Sequence, residues 1–76
     1  MKVCIAGGGR VGMYLAQSLL SHHHKVTIIE PQEALCRTIA DTLDIPVICG
    51  DSLSFDTLRT ADVASCDAVS YTHLRA

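Results

Sequence analysis

No tract of basic residues occurs in this chain. Six Lys and Arg stand against eight Asp and Glu, for a formal net charge of −2. Nothing therefore points to non-specific binding of nucleic acid or of an anionic membrane. No apolar run approaches the ~20 residues that span a bilayer. No secretory signal is present either, because Gly7-Gly8-Gly9-Arg10 ends the first apolar stretch after Ala6. The four cysteines, Cys4, Cys36, Cys49 and Cys66, include no C-x-x-C pair. In an intracellular α/β chain they are expected to be reduced thiols, mostly small core residues, with no zinc or disulfide role. Repeats, linkers and low-complexity tracts are also missing. These absences predict a cytoplasmic chain of one small domain. A chain of this length buries only about 60% of its unfolded surface, which leaves a thin margin of stability.

Hydrophobic residues make up 49% and charged residues 18%, a composition that suits buried strands and not disorder. Lys2-Val3-Cys4-Ile5-Ala6 is a short apolar run ending in glycines, as in a parallel strand covered on both faces. From Arg10 to Ser21 the spacing turns helical, with Val11, Leu15 and Leu19 as the inward repeat and Ala16 and Leu20 beside it. Ser21-His22-His23-His24 makes a turn. Lys25 to Glu30 is β-branched and predicts a second strand. Pro31 suits the first position of a second helix, whose inward stripe is Leu35, Ile39 and Leu43. Pro46-Val47-Ile48-Cys49 predicts a third strand closed by Gly50-Asp51. Ser54 caps a third helix running to about Ala61, and Asp62 follows as a residue tolerant of left-handed backbone. Cys66-Asp67-Ala68-Val69 opens a fourth strand. The order β-α-β-α-β-α-β with short connections predicts the N-terminal half of a Rossmann-type, doubly wound parallel sheet.

Gly7-Gly8-Gly9-Arg10-Val11-Gly12 fits G-x-G-x-x-G and sits between a predicted strand and a predicted helix, the context that gives the motif its meaning. Gly7 permits the tight turn, Gly9 leaves room for a pyrophosphate against the backbone, and Gly12 lets the helix pack closely on the sheet. The free N–H groups at the helix start would then face phosphates. Glu30 lies at the end of the second strand, where such folds place the carboxylate that accepts hydrogen bonds from an adenosine ribose. The competing reading of Glu30 is a carboxylate favoured by the dipole of the next helix. Asp51 has two readings of equal weight, a border of the adenine pocket or a turn residue. His22, His23 and His24 are consecutive and read as a solvated loop, since neighbours in sequence seldom converge on one metal. No Ser-His-Asp set, paired acid–base carboxylates or activated cysteine can be assembled, so the chain is read as no enzyme.

The stretch Met1-Lys2-Val3 through Gly12 resembles the N-terminal domain of Trk-type potassium-uptake regulatory proteins, also called RCK or KTN domains. Three further stretches share the resemblance: Val26 to Glu30, Val47-Ile48-Cys49-Gly50-Asp51, and Leu58-Arg59 through Cys66-Asp67-Ala68-Val69. The resemblance implies a cytoplasmic regulatory module that binds NAD(H), or ATP or ADP, and gates a membrane potassium transporter or channel subunit. It implies that Gly7, Gly9, Arg10, Val11 and Gly12 hold phosphates, Glu30 the ribose and Asp51 the nucleoside end. It also implies a homo-oligomer in the full-length protein, peripheral to the inner face of the membrane through its partner. The main alternative is the cofactor-binding N-terminus of an NAD-dependent dehydrogenase, and a third is a fragment without function of its own.

The family domain continues through three more strands, whereas this chain stops as its fourth begins. Residues 1–68 are thus expected to be a partial nucleotide-binding domain, and residues 69–76 a non-native tail. The codons GTC TCT TAT ACA CAT CTC CGA GCC encode Val69-Ser70-Tyr71-Thr72-His73-Leu74-Arg75-Ala76, and that DNA resembles a transposase adapter used in sequencing libraries.

Overall fold

The β1 strand, Lys2–Ala6, is buried along Val3, Cys4, Ile5 and Ala6. It can be, because it lies inside a four-stranded sheet ordered β3-β2-β1-β4 and is covered on both faces. The computed structural model describes residues 1–7, 9–51 and 54–71. After β1 come α1 (Arg10–Ser21), β2 (Lys25–Glu30), α2 (Glu33–Leu43), β3 (Val47–Cys49), α3 (Phe55–Thr60) and β4 (Ala68–Tyr71), with a short 3-10 turn at Val63–Ser65. All three strand pairings are parallel: Val3 with Val26, Ile28 with Val47, and Val3 with Ala68. The expected α/β architecture, the first half of a doubly wound sheet, is therefore present.

Alternate residues of each strand feed opposite cores. Val3, Ile5, Val26 and Ile28 join Ala16 of α1 and Ile39 of α2 on one face. Cys4 and Ile29 join Ala61, with Leu58 of α3, Val63 and Cys66 packed alongside, on the other. With α1 and α2 on one face and α3 on the other, the winding reverses between β1 and β4. That reversal is where open α/β sheets leave a crevice beyond the strands' carboxyl ends. At the opposite end, Lys2 and Asp67 tie β1 to β4 by two bonds. The Asp67 N–H donates to the Lys2 carbonyl at 2.7 Å, and the Lys2 N–H donates to the Asp67 carboxylate at 2.7 Å.

Four sequence expectations need correction. Pro31 does not start α2. The Glu30 carboxylate accepts the Gln32 N–H at 2.9 Å, holding Gln32 extended (φ −89°, ψ 118°) as the cap, and the helix begins at Glu33. Pro46 lies outside β3, and Cys66 and Asp67 precede β4 because the 3-10 turn occupies the chain just before them. Val11 is 60% exposed; the buried side of α1 is phased one residue later, on Gly12 and Ala16, with Met13, Leu15, Leu19 and Leu20 packed beside it. One residue is about 100° around a helix, enough to turn a side chain away from the sheet. Cys49 is exposed, whereas Cys4 and Cys36 are buried and Cys66 is half-buried. Asp62 adopts the expected left-handed conformation (φ 57°, ψ 45°), and Ser54 accepts the Thr57 N–H as cap of α3. Of the expected tail, residues 72–76 lie outside the described residues, and Val69, Ser70 and Tyr71 belong to β4.

Candidate functional site

The site begins where β1 ends. Gly7 has φ 99°, a left-handed value that a side chain makes costly, and it turns the chain out of the strand. Its N–H donates to the Ile29 carbonyl at 2.7 Å, which fastens the turn to β2 at the residue before Glu30. Gly9 caps α1 without a side-chain hydrogen bond, its carbonyl accepting the Met13 N–H at 2.9 Å. Its backbone has φ −57° and ψ −162°, and a Cβ placed there would meet no protein atom within 4 Å. Packing around this position therefore makes no demand for glycine. Arg10 and Val11 are exposed, and Gly12 is buried against the sheet. The first turn of α1 carries no acidic residue that would repel an anion from its positive end.

Glu30 is 4% exposed at the carboxyl end of β2. Its carboxylate receives the Gln32 N–H, while its carbonyl receives the Gly50 N–H at 3.0 Å and the Cys36 thiol at 3.2 Å. The contact with Gln32 gives substance to the helix-start reading of Glu30, and it coexists with a place at the strand end. Gly50 carries Asp51 alongside, exposed, with its carbonyl accepting the Ser54 N–H at 2.9 Å. A Cβ on Gly50 would lie 2.6 Å from Thr57 Oγ1, so the β3–α3 turn presses on α3.

The chain of bonds Gly7–Ile29 and Glu30–Gly50 thus brings the ends of β1, β2 and β3 to one edge. Gly7, Gly9, Arg10, Val11, Gly12, Glu30 and Asp51 are all on that edge or at the start of α1. Gly8, the remaining member of the motif, lies outside the described residues. His22, His23 and His24 are at the other end of α1 and do not join it. Among the described residues no group of three or more His, Cys, Asp or Glu is arranged to hold a metal, and no helix is long and apolar enough to cross a membrane.

Sequence reasoning missed two neighbours of this edge. Cys36 and Cys49 are thirteen residues apart and share no motif, yet the Cys36 thiol donates to the Glu30 carbonyl at 3.2 Å and Cys49 is the sheet partner of Glu30. Burial, and then the Cys49 thiol, push the Cys36 thiol up to about 11. Burial, and then Cys66, do the same to Cys4.

Comparison with known proteins bears on the family of the chain. The family described as TrkA-N domain matches residues 3–73. A "Trk system potassium uptake protein TrkA homolog" of Methanothermobacter thermautotrophicus is 48% identical over 67 residues, 88% of this chain and 31% of that protein. The "Trk system potassium uptake protein TrkA" of Haemophilus influenzae is 33% identical over 67 residues, 88% of this chain and 15% of its own length. A homolog from Pyrococcus abyssi is 35% identical over 68 residues, 90% of this chain and 30% of its length. The chain thus spans a third or less of the curated relatives it matches.

Proposed function

The chain belongs to the TrkA-N domain family, and from that premise we propose that it is a regulatory module binding NAD(H) or an adenine nucleotide at the edge formed by β1, β2 and α1. TrkA-N domains are NAD-binding, Rossmann-like domains. The observation that carries the reading for this chain is Gly9. A glycine that no packing contact requires, at a helix start with open space above it, suits the close approach of a phosphate. In this proposal Gly7, Gly9, Arg10, Val11 and Gly12 hold the pyrophosphate through backbone N–H groups and the positive end of α1. Glu30 accepts hydrogen bonds from the adenosine ribose hydroxyls, and Asp51 borders the nucleoside.

No catalytic step is assigned to the module. Bound nucleotide contributes free energy to whichever arrangement of the protein binds it better, and that differential binding is what a regulator transmits. The relatives carry potassium-uptake names. The proposal extends that role here: a cytoplasmic homo-oligomer, docked on a membrane potassium transporter, whose gating follows nucleotide occupancy.

The test is calorimetric titration with NAD, NADH, ATP and ADP of the protein carrying this domain, beside its Gly9→Val variant. A valine there meets no protein atom at its Cβ but is a poorer helix cap than glycine, so the melting temperature is measured beside the affinity and the titration is run where the variant is folded. Affinity for the preferred nucleotide should fall at least about tenfold, ~1.4 kcal/mol. Unchanged affinity in the variant overturns the phosphate site.

A further inference from the structure

β3 starts late beside β2. Its first residue, Val47, pairs with Ile28, so Lys25, Val26 and Thr27 of β2 extend beyond it. The Ile28 N–H donates to the Pro46 carbonyl at 3.1 Å, and just before that point the chain leaves α2 through the left-handed Asp44 (φ 51°). A cleft of about 430 Å³ is left at this corner, walled by Leu20, Val26, Ile45 and Pro46. Small-molecule sites span roughly 300–1,000 Å³, so the volume suits a small ligand.

The charged groups that line the cleft are basic. His24 and Lys25 line it, as does Lys2, the β1 partner of Lys25, and no Asp or Glu is among the described residues that do. Lys2 is already engaged, since its Nζ donates to Ser65 Oγ at 2.7 Å and lies 3.7 Å from the Asp62 carboxylate. Lys25 forms no ion pair among the described residues. His24 Nδ1 is buried, again with no hydrogen-bond partner among the described residues. Such an atom has lost its water without a replacement, which is costly.

We propose that this cleft binds a small monocarboxylate with an apolar body, at a site separate from the nucleotide edge. Leu20, Val26, Ile45 and Pro46 take the apolar body. The carboxylate pairs with the Lys25 ammonium and accepts an N–H from the His24 imidazole. The χ2 torsion of histidine is broad and two-fold, so a half-turn exchanges Nδ1 with Cδ2 and carries the unpartnered nitrogen toward the cleft. The backbone of His24 stays fixed meanwhile, because its N–H donates to the Leu19 carbonyl at 3.1 Å. A cationic ligand would meet like charge here, and a neutral apolar one would leave Lys25 and Nδ1 without partners. β2 runs from Lys25 at the cleft to Glu30 at the nucleotide edge, roughly 17 Å at the usual rise per residue, so the two sites do not overlap.

The experiment titrates the methyl-labelled protein carrying this domain with hexanoate and, separately, with hexanamide, which has the same chain without the charge. Methyl resonances of Leu20, Val26 and Ile45 report occupancy. Hexanoate should shift all three saturably, and hexanamide should bind severalfold more weakly. Lys25 is exposed, so Lys25→Gln should fold normally and lose hexanoate affinity severalfold, the scale of an exposed ion pair. His24→Phe keeps a ring and the backbone bond to Leu19, and should weaken hexanoate as well. Saturating NADH should leave hexanoate affinity unchanged. Absence of a saturable shift at these methyls overturns the site, as does equal binding of hexanoate and hexanamide. Unchanged affinity in both Lys25→Gln and His24→Phe overturns the carboxylate's placement. Displacement of hexanoate by NADH would put it at the nucleotide edge and overturn a separate site.

Discussion

The Gly50 N–H donates to the Glu30 carbonyl at 3.0 Å, so the turn after β3 hangs on the residue that ends β2. The same Gly50 faces Thr57 of α3, whose Oγ1 would lie 2.6 Å from an added Cβ. One glycine therefore sets both the strand edge and the seat of α3.

Gly50→Ala is expected to destabilise the domain by about 1–3 kcal/mol, the usual range for overpacking. Thr57 is β-branched, with Oγ1 at 2.6 Å and Cγ2 at 3.0 Å from the added methyl, so exchanging its two γ positions leaves an atom in the way. Thr57→Ala removes both Oγ1 and Cγ2, the two nearest obstacles. The double variant should recover most of the loss in thermal unfolding. Equal melting of Gly50→Ala and the double variant would show that the contact is not the cause.

Nucleotide preference should follow the charge on Glu30. A carboxylate within reach of the ribose would stand close to the 2′-phosphate of NADP. Two like unit charges 4 Å apart repel by about 1 kcal/mol in water and about 4 at an effective dielectric of 20. NAD should therefore bind more tightly than NADP. Glu30→Gln keeps an acceptor for the Gln32 N–H yet removes the charge, and should narrow the ratio of affinities. Wild-type protein that binds NADP as well as NAD would place the carboxylate away from the ribose.

Much of the fold was legible because certain residue types announce backbone states. Gly7 stands at positive φ and Asp62 in the left-handed region, as their types suggested. The β-branched run from Val26 to Ile29 is strand, and glycines follow β1 where the site begins. What escaped was set by contacts across the chain. Pro31 precedes the cap of α2, Gln32, because the Glu30 side chain reaches forward to the Gln32 backbone N–H. The Cys36 thiol reaches the Glu30 carbonyl only because α2 folds back against the end of β2. The constraint of Gly50 by Thr57 likewise depends on how α3 docks. None of these has a spacing that local sequence displays.

Alkaline stability should carry the signature of the buried thiols. Cys4 and Cys36 each move from an ordinary 9.0 to about 11 in the fold, chiefly through burial. The fold favours the neutral thiol, so this contribution is complete below pH 9.0, erodes as pH rises, and is gone above about 11. Other groups titrate there too, so the informative quantity is a difference. Cys4→Ala should lower stability at neutral pH through lost packing, yet flatten the decline between pH 9.0 and about 11 relative to wild type. Parallel curves of stability against pH for the two proteins would contradict the assignment.

The chain's last residues yield a prediction about the gene. β4 pairs with β1 from Val3↔Ala68 to Ala6↔Tyr71, so its neighbour in the sheet is an apolar, buried strand. A strand beside that one is expected to continue as an apolar, β-branched run. After Val69 come Ser70, Tyr71, Thr72, His73, Leu74 and Arg75 instead, and Ser70 stands opposite the fully buried Ile5. Pairing in β4 uses backbone N–H and C=O groups, which every one of its residues supplies, so a strand here does not require native side chains. We propose that residues 69–76 are translated adapter. The final eight codons then read GTC TCT TAT ACA CAT CTC CGA GCC, and the preceding adapter bases CT complete a GCT codon for Ala68. Long-read sequencing of the source locus should show the gene diverging from these codons after Ala68 and continuing with β-branched residues. Uninterrupted genomic sequence encoding Val69 to Ala76 as given would make the tail natural, and Ser70 would then be a polar residue that the sheet tolerates beside Ile5.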